Sequence, residues 1–113
     1  MVRGSCSRSL QAGIAVTWTI RVVADAEAEF EATARWFDEH AGLRTEFVEA
    51  IDEAIYAIAE QPLRWPQWRP GSPYRKFVVR RFPYIVLYRM RDDYVEVLAF
   101  AHTRRRPGYW TDR

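Results

Sequence analysis

A single cysteine, Cys6, is the chain's whole stock of thiol, so no internal disulfide can form and a reducing cytosol suits it. That cysteine and the two histidines show no metal-ligand spacing. The five glycines make neither a phosphate-cradling loop nor a nucleophile elbow. No apolar run approaches the length of a transmembrane helix. These absences argue against a metalloenzyme, a nucleotide hydrolase and a membrane protein. They predict a cytoplasmic chain with no cofactor and no metal.

Lysine is nearly missing as well. Of 17 basic residues, all but Lys76 are arginine. Arginine's planar fork suits two-point contact with phosphate or carboxylate, although genome base composition can produce the same bias. The formal charge of +2 conceals an asymmetry. Residues 1–61 carry five basic against eleven acidic side chains, −6, and residues 62–113 carry twelve against four, +8. Such a split predicts a basic face with a polyanionic or acidic partner.

What remains is the composition of a globular domain, 49% hydrophobic and 28% charged over 113 residues. Residues 1–15 read as a flexible N-terminal extension. Their apolar stretch is short, is broken by Gln11 and Gly13, and runs directly into a strand-like segment, unlike a signal peptide. Residues 16–113 read as one domain.

VTWTIRVV (16–23), rich in β-branched and aromatic residues, predicts a strand. Asp25 follows at an N-cap position, and Glu27, Glu29 and Glu31 suit the positive end of a helix. Phe30, Ala34, Phe37 and Ala41 form the apolar stripe of that helix, which ends at Gly42 with His40 near its carbonyl end. Leu43, Phe47, Ile51, Ala54, Ile55 and Ile58 form a second stripe, ended before Pro62. Glu49, Asp52, Glu53 and Glu60 lie opposite it and read as a solvated face rather than catalytic carboxylates.

EQPLRWPQWRPGSPY (60–74) is a connection, after which the period drops to two in RKFVVRR (75–81), YIVLYRM (84–90) and YVEVLAFA (94–101). In the second of these, Tyr84, Val86 and Tyr88 alternate with Ile85, Leu87 and Arg89. In the third, Val95, Val97 and Ala99 alternate with Glu96, Leu98 and Phe100. The order β-α-α-β-β-β predicts an α+β fold. A small antiparallel or mixed sheet carries a helical hairpin on one face and exposed groups on the other.

RFPYIVLYR (81–89), a polar turn, an apolar strand and then HTRRRPGYW (102–110) resemble the RelE/ParE superfamily of bacterial type II toxins. FVEAIDEAIYAIAEQPLRWP (47–66) resembles their second helix and its closing proline, and ADAEAEFEATARWF (24–37) resembles their first. The likeness spans roughly residues 17–111. It implies a growth-inhibiting toxin made with a cognate antitoxin, as a homodimer or a toxin–antitoxin hetero-oligomer. RelE-like members cleave mRNA on the ribosome without metal, whereas ParE-like members poison DNA gyrase. The ending RRRPGYW is closer to the ParE-like, plasmid-stabilisation branch. RelE-like nucleases tend to carry several lysines on the central strands, and the lone Lys76 weighs against that alternative. A decayed toxin that only binds antitoxin is a third.

Each alternative draws on named residues. A metal-free endoribonuclease needs an acid or base, His102, with Arg81 and Arg104 stabilising the phosphorane charge. A binding protein would hold its target or antitoxin through Arg75, Lys76, Arg80, Arg81, Tyr84, Tyr88, Arg104, Arg105, Tyr109 and Trp110. Core packing competes for Tyr84 and Tyr88, and backbone hydrogen bonding at a strand end competes for His102. Arg104, Arg105 and Arg106 cannot all point one way from an extended segment, so part of that charge faces solvent. Trp65, Trp68 and Trp110 are expected to divide between the rim of the core and an antitoxin interface.

Overall fold

The structure, a computed structural model, describes residues 17–113, and the extension expected over residues 1–15 lies outside the described residues. Six elements follow one another: β1 (Thr19–Val22), α1 (Ala24–Ala41), α2 (Arg44–Glu60), β2 (Tyr74–Val78), β3 (Tyr84–Met90) and β4 (Tyr94–His102). The sheet order is β1-β4-β3-β2. β1 runs parallel to β4 and the other pairs are antiparallel, so the sheet is mixed. This is the expected α+β fold with a helical hairpin against one face.

The helix ends follow their local chemistry with one correction. Val23, not Asp25, is the N-cap of α1; Asp25 lies in the first turn with Glu27, where a carboxylate still complements the dipole. At the other end Gly42 takes φ 65°, the left-handed conformation that a Cβ disfavours. The following Leu43 N–H then reaches back to the Phe37 carbonyl at 3.1 Å, closing the helix.

One core lies between the hairpin and the sheet. Phe47, Ile51, Ala54 and Ile58 of α2 pack with Val86 and Tyr88 of β3 and with Val95, Val97 and Phe100 of β4. Phe37, Phe47, Phe82 and Tyr84 close its upper end, with Phe37 5.1 Å from both Phe47 and Phe82. Glu49, Asp52, Glu53 and Glu60 face outward, as the helical stripe requires.

Two expectations about the sheet fail for physical reasons. Tyr88 pairs with Val97 and Leu87 with Ala99, so Leu98 has no partner on β3. An extra residue of this kind reverses the alternation along its strand. Phe100 therefore joins Val95 and Val97 on the helix side, while Leu98, Ala99 and Ala101 share the other. That other face is not the exposed surface expected. Trp110 covers it, 2% exposed, together with Trp68, Tyr74, Ile85 and Tyr109. The chain beyond β4 folds back through Gly108, whose φ is 86° and whose missing Cβ would sit 3.5 Å from the Trp68 ring. Hydrophobic periodicity could not announce this cover, because it comes from two irregular segments.

Candidate binding surface

The loop between β2 and β3 and the turn after β4 meet at one end of the sheet. Tyr84 stands in register with His102, and Thr103 donates its N–H to the Pro83 carbonyl at 2.9 Å. Within the loop, Val79 N–H bonds the Tyr84 carbonyl at 2.9 Å and Tyr84 N–H bonds that of Phe82 at 2.8 Å. Arg81 is held at φ 74°, the one non-glycine positive φ among the described residues. The bend turns Phe82 inward against Phe37 and Phe47 while Arg80 and Arg81 stay exposed. A side chain in that conformation costs about 1–3 kcal/mol, which the inward phenylalanine offsets.

Across from this loop, Arg104 donates its backbone N–H to His102 Nδ1 at 3.1 Å, and Arg105 donates to the His102 carbonyl at 2.9 Å. His102 thereby forms the turn that presents Arg104, Arg105 and Arg106, all exposed. The Arg105 guanidinium lies 4.1 Å over the Tyr109 ring. Burial, the hydrogen bond to Glu29 and that carboxylate's charge raise the Tyr109 hydroxyl above its ordinary pKa, against the pull of Arg105 and Arg113.

This end of the sheet is electrostatically unbalanced. Among the described residues, Arg44 pairs with Glu31, Arg89 and Arg91 with Glu96, and Arg113 with Glu29 and Asp25. Arg80, Arg81, Arg104, Arg105 and Arg106 have no carboxylate partner among the described residues, as is also true of Arg21, Arg35, Arg64, Arg69, Arg75 and Lys76; the five differ in extending from two adjoining turns. Concentrated like charge repels itself and is relieved by an anionic surface.

The structure brings together Arg80, Arg81, Tyr84, His102, Arg104 and Arg105, with Tyr109 beside them. Arg75, Tyr88 and Trp110 are placed elsewhere, and Lys76 meets only Arg80 of that group, in a groove along β2. Arg75 donates to the Trp65 carbonyl at 2.6 Å and the Leu63 carbonyl at 3.4 Å. Tyr88 is fully buried and donates to the Pro62 carbonyl at 2.5 Å; burial raises its pKa, partly offset by Arg75. Both residues pin the α2–β2 connection to the sheet. Trp110 is core. Lys76 lies along β2 and, with Arg80 and Glu53, supplies the charges of a groove of about 540 Å³. Ala50, Ala54, Ala57, Trp65 and Phe77 make that groove apolar, and it lies between α2 and the edge strand. Residues 66–68 pair along the first half of β2, and Val78 beyond them is 62% exposed.

Sequence reasoning missed Glu29 and Arg113. Glu29 reads as one of several acidic residues in the first turns of a helix, and nothing in its spacing ties it to the far end of the chain. Among the described residues no cluster of His, Cys, Asp and Glu could hold a metal ion, and no helix is long and apolar enough to cross a membrane.

A family model, the ParE toxin of type II toxin-antitoxin system, parDE, matches residues 16–107. Among solved structures, the chain is similar to one described as the chromosomal ParDE TA system from P. aeruginosa. Its TM-score is 0.65, with 12% identity, over 76% of this chain and 96% of that chain. At that identity the likeness is one of fold. No curated protein sequence matches.

Proposed function

Because the chain belongs to the ParE toxin family of type II toxin-antitoxin systems, we propose that it is the toxin of such a pair, held inactive by a cognate antitoxin. Freed, it inhibits growth in the cytoplasm by gripping a cellular target, DNA gyrase, through the basic end of its sheet. The observation that carries this proposal is the meeting of the loop that bears Arg80 and Arg81 with the turn that bears Arg104 and Arg105, four exposed arginines with no carboxylate partner among the described residues. Arginine at such a site makes two-point contacts with carboxylates, and neighbouring rings add apolar area at little entropic cost.

The same chemistry supports neutralisation. The groove between α2 and β2 is apolar at its centre and has Lys76 and Arg80 in its lining. An amphipathic antitoxin segment fits it by burying its apolar side and placing acidic residues against those cations.

Controlled expression with separate readouts of DNA supercoiling and mRNA integrity tests the proposal. The expected result is growth arrest with altered supercoiling and intact mRNA, reversed by co-expressed antitoxin. Cleaved mRNA within minutes of induction would replace it with the ribosome-dependent nuclease. No arrest at all would leave a chain that only binds antitoxin.

A further inference from the structure

β1 ends at Val22, in register with Val97, whereas β4 continues to His102. The bulge at Leu98 leaves that residue unpaired on β3 just where the parallel partner stops. Unmatched strand groups at such an edge are costly unless side chains satisfy them. Two side chains do so. Phe100 N–H donates to Glu29 Oε1 at 3.1 Å, and Arg113 donates through Nη1 to the Leu98 carbonyl at 2.9 Å.

The two caps are joined to each other. Glu29 Oε2 accepts from Arg113 Nη2 at 3.1 Å and from the Tyr109 hydroxyl at 2.8 Å. The Glu29 and Arg113 side chains are 16% and 15% exposed, so solvent screens this pair far less than a surface ion pair. Tyr109 in turn carries the Arg105 guanidinium on its ring at 4.1 Å. One carboxylate on α1 therefore holds the β4 edge, residues 109 and 113, and through Tyr109 a side chain of the basic end.

We infer that Glu29 is a positioning residue, the latch that fastens residues 103–113 to α1 and the sheet and so fixes the arginine turn in its binding form. The second half of that inference rests on the proposed function; the first does not. Glu29→Gln separates the latch from the edge cap. The amide oxygen still accepts from Phe100 N–H, whereas the amide nitrogen cannot accept from Arg113 or Tyr109. Tyr109→Phe removes the hydroxyl contact and leaves the ring under Arg105.

The test is trypsin cleavage of the full chain after Arg104 and Arg105, since Pro107 blocks the bond after Arg106, at a temperature well below unfolding, with amide exchange followed in parallel. Losing one charge-assisted hydrogen bond shifts a local opening equilibrium about tenfold, so E29Q should be cut there at least about tenfold faster and Y109F by a smaller factor. Exchange at Phe100 and in both helices stays at wild-type rates. Unchanged cleavage in E29Q, or exchange that rises throughout the chain in step with cleavage, overturns the latch. In the growth assay E29Q should lose arrest while its helices stay protected. If the wild type fails to arrest growth, the proposed function falls and the cleavage rates still decide the latch. If the wild type arrests growth and E29Q does so equally, the positioning role falls.

Discussion

Tyr84 and His102 face each other across the ends of β3 and β4, their ring centroids 5.1 Å apart and their planes at 81°. The edge-to-face pair joins the two turns that carry the exposed arginines. Arg81 lies in the loop before Tyr84, and Arg104 bonds His102 directly. The geometry makes His102 part of the frame of the basic surface.

A framing role and a catalytic role for His102 differ in what its loss costs. With the framing role, His102→Asn, whose Oδ1 stands where Nδ1 accepts from the Arg104 amide, leaves growth arrest at wild-type strength. A general acid or base would cost about 10²–10⁴-fold in rate. Growth after induction, read with RNA integrity, separates the two.

Arg81→Gly relieves the left-handed backbone at φ 74° and removes one exposed cation. Stability should rise by about 1 kcal/mol, visible as a higher urea midpoint. Growth arrest should weaken in the same variant. A protein that becomes more stable and less able to arrest growth marks Arg81 as a site where strain serves contact.

Trp110→Ala opens the far face of the sheet over Leu87, Leu98 and Ala101. The expected loss is about 3–5 kcal/mol, measured by thermal or urea unfolding. Truncation before Arg104 would remove Trp110 and Arg113 with the arginines. It would then confound unfolding with lost contacts, so single charge substitutions are the cleaner probe.

Ionic strength should control the antitoxin complex. Raising salt from about 0.1 M to about 1 M shortens the screening length from about 10 Å to about 3 Å, and affinity falls across that range. In Lys76→Gln and Arg80→Gln the affinity at low salt should be lower and its salt dependence flatter, by titration calorimetry. An unchanged slope in both variants would place the contact elsewhere.

Much of the fold was legible because the sequence changes period where the structure changes element. The stripe through Phe47, Ile51, Ala54 and Ile58 is the buried face of α2, and Tyr84, Val86 and Tyr88 point together into the core. Reasoning by period broke at Leu98, since a bulge leaves composition untouched while reversing every side chain after it. It broke again at Trp110, read as a docking ring because the segment that buries it has no period at all. For the site, clustered charge pointed to the sequence neighbourhoods of Arg81 and Arg104. Their meeting through Thr103 and Pro83, and the commitment of Arg75 to loop carbonyls, are tertiary facts that residue type does not carry. Glu29 is the plainest case: its partners lie 71, 80 and 84 residues away.

The most direct measurement is growth after induction of the chain with Arg80, Arg81, Arg104 and Arg105 all replaced by glutamine, at soluble levels and an unfolding midpoint matched to the wild type. Exposed cations with no carboxylate partner among the described residues contribute little to folding, so the variant should accumulate normally. Wild type should stop growth and the variant should not. A folded variant that halts growth as the wild type does would contradict the basic end of the sheet as the toxin's working surface.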